Sequence, residues 1–303
     1  MSRKINYFNL FHSTSVPLAG AERTALILVY IFVFILSFNV GFSQEIFDFE
    51  KEINSLENYH SKEINFLDTK ESIKLSGTLI TPKTNYSKIV IIAPGSGKDT
   101  RHSHYIMAEE FLKNGFAVYR YDDRGIGKSE GKYNRNIKQN ISDLYYAFKH
   151  LRQIDSLSNK TIGILGHSNG GYASINAYQR GLKIDFLILM STPIEKNGEF
   201  LNHKFKTKKG KITFKEVYES LIIPVLFITR TNDSVVNSVN TFDLLKELNN
   251  PKIEIQILEG LNHFLREGVD DFYETKNYNS LYEIDENALN IIIKWTKKCS
   301  QYQ

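Results

Sequence analysis

Short continuous apolar runs alternate along the chain with segments whose apolar positions recur at helical spacing. KIVIIA at 88–93, FAVYRY at 116–121, TIGILG at 161–166, DFLILM at 185–190, PVLFIT at 224–229 and KIEIQIL at 252–258 read as strands. Segments 104–114, 141–153, 169–180 and 239–248 read as helices, and 287–298 as a closing helix. Strands apolar on both faces need cover on both faces, which predicts an α/β fold with a mostly parallel central sheet flanked by helices. Ahead of this alternation, 61–68 and 73–81 predict a strand pair punctuated by Gly77 and Pro82.

Two intervals break the rhythm. Between the strands at 185–190 and 224–229 lies a polar, lysine-rich stretch containing Lys196, Lys204, Lys206, Lys208, Lys209, Lys211 and Lys215. An insertion there, at about 194–221, sits over the strand ends where ligands bind in open α/β sheets, so it reads either as a short lid or as a solvated, partly disordered loop. The second is ALILVYIFVFILSF at 25–38, an uncharged run preceded by Arg23. It is short for a bilayer span but fits the apolar core of an export signal. Gly41 and Ser43 supply small residues for a cut after Ser43, leaving 44–303 as the mature chain. The long charged region before the run leaves an uncleaved membrane anchor open as the other reading.

Composition narrows the chemistry. The 303 residues are 42% hydrophobic and 24% charged, in the ordinary globular range. The lone Cys299 excludes an intrachain disulfide framework and any zinc site built on several thiolates. A net charge of +4 is too slight to argue for nucleic acid. No cofactor and no metal are expected. APGSGK at 93–98 approaches a phosphate loop, but Ile92 and Asp99 stand where a glycine and a Ser or Thr are required, and Asp122 spoils a second near miss at Gly127-Lys128-Ser129.

The candidate nucleophile is Ser168. GHSNG at 166–170 directly follows the TIGILG run and directly precedes a helical segment. A bare GxSxG arises by chance in about one chain in ten of this length, so its place between strand and helix carries the weight. A strand turning sharply into a helix strains the residue at the bend and stands its side chain above the sheet, with small neighbours relieving the crowding.

A serine hydroxyl attacks only when a base removes its proton, and the base needs a third group to orient it. Behind an elbow of this kind the partners follow in the order Ser, acid, His on later strand ends. Asp233 follows the PVLFIT run and His263 follows the KIEIQIL run; Glu195 is the fallback acid. His12, His60, His102, His104, His150, His167 and His203 all lack the required position. For the oxyanion, the amide of Asn169 and that of Ser96 in the glycine-rich 93–98 loop are the expected donors, with Gly95 as a near alternative to Ser96.

With these residues in hand, the chain resembles the α/β-hydrolase superfamily, and within it bacterial esterases and serine-peptidase-like hydrolases with a Gly-Ser-Gly oxyanion loop. The matching stretches are GTLITP at 77–82, APGSG at 93–97, YDDRGIGKSEG at 121–131, GHSNGG at 166–171, Asp233 of TND and His263 of GLNHF. They lie within about 60–298. The resemblance implies that Asp123 and Arg124 are structural charges near the site. Pro94 departs from the many relatives with His or another residue there. The expected activity is cleavage of carboxylic esters by an exported, periplasmic or secreted serine hydrolase acting on a small-molecule ester or acyl substrate. A peptidase or amidase with the same triad, and a catalytically silent binding protein of the same fold, remain open.

Overall fold

The central strands are buried along their whole length because both of their faces carry hydrophobic side chains. In the computed structural model, which describes Phe47 and residues 49–134, 136–207, 210–268 and 283–299, the main sheet has eight strands. They are β1 (Tyr59–Glu63), β2 (Gly77–Pro82), β3 (Lys88–Ala93), β4 (Ala117–Tyr121), β5 (Thr161–His167), β6 (Leu187–Met190), β7 (Val225–Arg230) and β8 (Ile253–Leu258). Their spatial order is β1-β2-β4-β3-β5-β6-β7-β8. β1 and β2 run antiparallel to their neighbours, and all pairings from β4 to β8 are parallel. The export segment at 25–38 and the cut after Ser43 lie outside the described residues.

Alternation within these strands feeds two cores. Ile89, Ile91, Ile164, Leu187, Leu189 and Phe227 point to one face. There they meet helices α2 (Ile137–Arg152) and α3 (Asn169–Gln179). Val90, Ile92, Leu165, Ile188, Leu226 and Ile228 point to the other. That face is covered by α1 (Tyr105–Lys113) and α4 (Glu286–Lys298). Asn136 and Asp285 cap α2 and α4, their side chains accepting from the amides of Lys138 and Ala288. Buried Lys88 donates to the carbonyls of Thr296 and Lys297 at the carboxyl end of α4, at 2.5 and 3.1 Å.

Two predicted features differ. The strand pair at 61–68 and 73–81 splits: Tyr59–Glu63 and Gly77–Pro82 join the main sheet, while Phe66–Asp68 and Ile73–Leu75 form a separate ribbon. The cause is local. Phe66 and Leu75 are buried in the α2-side core, and Asp68 is drawn to Arg124 at 2.7 Å. The lysine-rich stretch is also no solvated loop. It holds hairpins at Glu195–Lys196 with Glu199–Phe200 and at Lys204–Thr207 with Gly210–Thr213, then a helix at Phe214–Glu219. Lys196, Lys204, Lys206, Lys211 and Lys215 are exposed, while Ile194, Phe205, Phe214, Val217, Tyr218 and Leu221 are buried in the main core. Composition hid this because the buried residues are scattered among the charges.

The DDRG stretch is a junction of buried charges. Arg124 pairs with Asp68, Glu71 and Asp143, the last two at 2.5 Å. Burial pushes the Asp143 carboxyl up to about 6 against the pull of Arg124. Burial also acts to raise Asp68, but hydrogen bonds from Arg124 and Ser142 outweigh it and hold that carboxyl below its usual range. Asp122 is bridged by Arg101 through both Nε and Nη2, and Asp123 accepts from the Asp99 amide at 3.1 Å. Removing one partner from a buried pair strands the others, at a cost of about 3–5 kcal/mol. Arg124→Met should therefore lower the unfolding free energy by an amount in that range, read in urea as a lower midpoint at unchanged slope; a midpoint within error of wild type would show that the pairing contributes nothing.

Candidate active site

Ser168 has φ 51° and ψ −119°, a backbone conformation that side chains other than glycine's rarely adopt. Three glycines make the bend possible. A β-carbon on Gly166 would meet the backbone of Gly171 at 2.5 Å, and one on Gly170 would run into the carbonyl oxygens of Ala93 and Pro94. The strained serine is tied down by its own amide, which donates to the Met190 carbonyl at 2.8 Å, and by its carbonyl, which accepts from Gly171 at 3.0 Å. Asn169 begins α3 directly behind it, so the positive end of the helix dipole lies at the elbow.

The 93–98 loop comes close alongside. A β-carbon on Gly95 would stand 3.5 Å from the Ser168 β-carbon and 3.7 Å from the His167 carbonyl. The Gly95 carbonyl accepts from Asn140 Nδ2 at 3.0 Å, and Tyr133 Oη donates toward the Ser96 and Gly97 carbonyls at 2.8 and 2.7 Å. A planar trans peptide with its carbonyl toward Asn140 sends the Ser96 N–H the opposite way.

Asp233 and His263 meet at the far strand ends. His263 Nδ1 is 3.2 Å from both carboxylate oxygens of Asp233. Asp233 Oδ1 also accepts from the amides of Val235 and Val236 at 2.7 and 2.9 Å, which fixes the carboxylate in a turn just past β7. Glu195, the fallback acid, instead accepts from the Gly198 amide in its own hairpin at 2.8 Å. The His263 loop is held by Asn262, whose side chain accepts from the amides of Phe264 and Arg266.

Three residues that sequence reasoning passed over complete the surroundings. Arg230, the fully buried last residue of β7, donates Nε to the Asn262 carbonyl at 2.8 Å. Its Nη2 lies 2.7 Å from His263 Nδ1 and pairs with Asp233 Oδ2. A guanidinium only donates, so Nδ1 either accepts from Arg230 and leaves its proton on Nε2, or keeps its proton and donates to Asp233. Only the second tautomer frees Nε2 to act as a base.

The other two are His104 and His167. His167 Nε2 lies 3.0 Å from the His263 carbonyl, and His167 Nδ1 lies 3.1 Å from His104 Nε2. His104 Nδ1 lies 3.2 Å from Ser103 Oγ. A carbonyl oxygen only accepts, so the protons are assigned in sequence: His167 donates from Nε2, His104 donates to His167, and Ser103 donates to His104. Burial holds both imidazoles well below the usual histidine range, reinforced for His104 by His167 and for His167 by His263. Ser191 Oγ adds a second donor to the His263 carbonyl at 2.8 Å. The backbone of His263 is thus suspended from β5 and from the end of β6, beside the elbow. His167 was readable as the variable position of GHSNG; nothing in the sequence marked His104.

A cavity of about 720 Å³ opens at this end of the sheet, bounded by Asn169, Tyr172, Pro193, Leu201 and His203 among others. Among the described residues, no group of three or more His, Cys, Asp or Glu side chains is arranged to hold a metal ion.

Comparison with known proteins agrees with this architecture. The family model for serine aminopeptidase, S33, matches residues 84–215, a stretch that contains Ser96, Ser168 and Asn169 and ends before Asp233 and His263. Uncharacterized protein RP471 of Rickettsia prowazekii is 26% identical over 170 residues, 55% of this chain and 65% of that protein. Thiohydrolase aneE of Aspergillus aculeatus is 30% identical over 135 residues, 44% of this chain and 42% of that protein. The matched stretches span less than two thirds of the length of either relative. The solved structure of Pyrococcus furiosus esterase Pf2001 superposes with a TM-score of 0.62 at 22% identity, covering 84% of this chain and 95% of that one. With its sheet order and these likenesses together, the chain has the α/β-hydrolase fold, and its 84–215 stretch is similar to the serine aminopeptidase, S33, family.

Proposed function

We propose that this chain is a serine hydrolase that cleaves carboxylic esters through an acyl-enzyme. What supports the reading is a strained Ser168 together with an Asp233–His263 couple whose loop is held by His167, the residue before the serine. In this mechanism Ser168 Oγ attacks the ester carbonyl while His263 takes its proton. Asp233 holds the imidazole in the tautomer with the proton on Nδ1 and balances the imidazolium that forms. The amides of Asn169 and Ser96 or Gly95 receive the oxyanion. His263 then returns the proton to the departing alcohol, and water repeats the sequence to release the acid. The names of Pf2001, an esterase, and aneE, a thiohydrolase, favour acyl transfer to water. The serine aminopeptidase description of the matching family model favours a second reading, a peptidase with the same residues.

We also propose export, on the 25–38 apolar run and the small residues before Gln44. Sequencing the amino terminus of protein recovered from outside the cytoplasm should return Gln44; an intact Met1 in the membrane fraction would favour the anchor.

Ester turnover by Ser168→Ala should fall on the order of 10⁶-fold, and by Asp233→Asn about 10⁴-fold. Turnover near wild type in either would overturn the assignment of that residue. Assaying matched ester and peptide substrates on the same preparation decides between esterase and peptidase.

His104 and His167 add a pH dependence. Both are held neutral in the folded chain, so below about pH 6.5 the unfolded chain takes up protons that the folded one refuses. The more protonated unfolded state is then favoured as pH falls. Asp143, raised by burial to about 6, takes up its proton first in the folded chain and so acts in the opposite direction over the same window; the histidine contribution is therefore read by difference. From pH 7.5 to pH 5 the urea midpoint of wild type should lose ground relative to that of His104→Gln; midpoints that run parallel in the two proteins would contradict a buried neutral His104.

A further inference from the structure

The cavity beside Asn169 continues beyond the elbow. Through Asn134, Asn136 and His203 it shares walls with a second hollow of about 660 Å³. That hollow is lined by Lys70, Lys138, Arg180, Lys204 and Lys206 against a single carboxylate, Glu71, which already pairs with Arg124. None of the five cations forms an ion pair among the described residues.

Their placement is set by secondary structure. Lys204 and Lys206 are two apart on the Lys204–Thr207 strand and so share one face, while Phe205 between them is buried in the core and anchors the strand. Lys138 sits in the first turn of α2, which carries no acidic residue, so its charge opposes the helix dipole. Arg180 caps the carboxyl end of α3, the helix that starts at the nucleophile, with its guanidinium 5.8 Å from the Tyr145 ring. Solubility alone needs charges spread over the surface. Here like charges from four segments converge on one concave wall, where low-dielectric surroundings concentrate the field.

We infer that the substrate carries an anionic group, a carboxylate or a phosphate, at the end remote from the scissile ester, and that this hollow receives it. The inference rests on the ester-hydrolase reading and adds a substrate class to it. One arm of the substrate would run from Ser168 past Asn169 and Tyr172, between Asn134 and His203, to the cationic wall.

The test compares nitrophenyl esters of graded acyl length that end in a free carboxylate, in a phosphate, or in the methyl-capped carboxylate. With arms long enough to reach the wall, the charged esters should exceed the capped ones by about tenfold or more in kcat/KM at low ionic strength. The advantage should shrink as salt is raised. It should also fall toward unity in Lys138→Gln combined with Lys204→Gln, both exposed positions. The carboxylate and phosphate arms then rank the two anion types. Ser168-dependent turnover with equal kcat/KM for charged and capped esters at every length would overturn this inference and leave the esterase reading standing. Absence of Ser168-dependent turnover for all of them would overturn both. The salt dependence of wild type needs no variant, so the outcome does not hinge on how the substitutions fold.

Discussion

The site depends on how closely a helix can approach the end of a strand. At Ser168 the chain reverses from β5 into α3, and the space for that reversal exists only because Gly166, Gly170 and Gly171 carry no side chain. A β-carbon at Gly170 would collide with backbone at the end of β3, which cannot rotate away as a flexible side chain would. The close approach has two effects. It forces the serine into its strained conformation, and it brings the Pro94–Gly97 loop, which continues β3, against Ser168. Candidate nucleophile and candidate oxyanion donors are therefore positioned by one packing contact.

On the other side of the serine the constraint is electrostatic. The side chains of Arg230, Asp233 and His263 are all buried, and the imidazole sits against a carboxylate and a guanidinium at once. The guanidinium pairs with Asp233 but also competes for Nδ1. In the proposed mechanism His263 works as a base only if the carboxylate wins that competition. Asp233 is well placed to win: its orientation is fixed by two backbone amides, whereas Arg230 has another acceptor in the Asn262 carbonyl. The histidine pair behind it acts on position and not on charge. His167 and Ser191 both donate to the His263 backbone, so the imidazole's location is set before its protonation state is.

The elements of the candidate site were legible in the linear pattern. Ser168, Asp233 and His263 could be singled out as candidates because a nucleophile elbow demands a strand, a serine and a helix in immediate succession, with the partners on later strand ends; the bend at Ser168 and the Asp233–His263 contact are where that pattern placed them. Residues whose roles come from tertiary burial were not legible. Arg230 reads as the polar end of a strand, and only the fold shows that it is sealed in beside Asp233. His104 belongs to a segment of ordinary helical pattern, and its link to His167 spans residues that no local periodicity connects. The split of the first strand pair escaped for the same reason: Asp68 leaves the sheet edge to satisfy Arg124, a partner far along the chain.

The lysine-rich insertion shows how a polar composition can conceal a fixed wall. Tyr172, one turn into α3, stacks on Phe214 of the insertion with ring centroids 5.5 Å apart and meets the edge of His203 at the same distance. Phe205 and His203 pack in turn on one another and on Phe214. These contacts bind the insertion to the same helix whose first residue stands behind Ser168. The wall of the cavity at Asn169 and the strained serine therefore rest on one helix. The aromatic residues fix the wall in place, and Lys204 and Lys206, on either side of Phe205, line the hollow beside it.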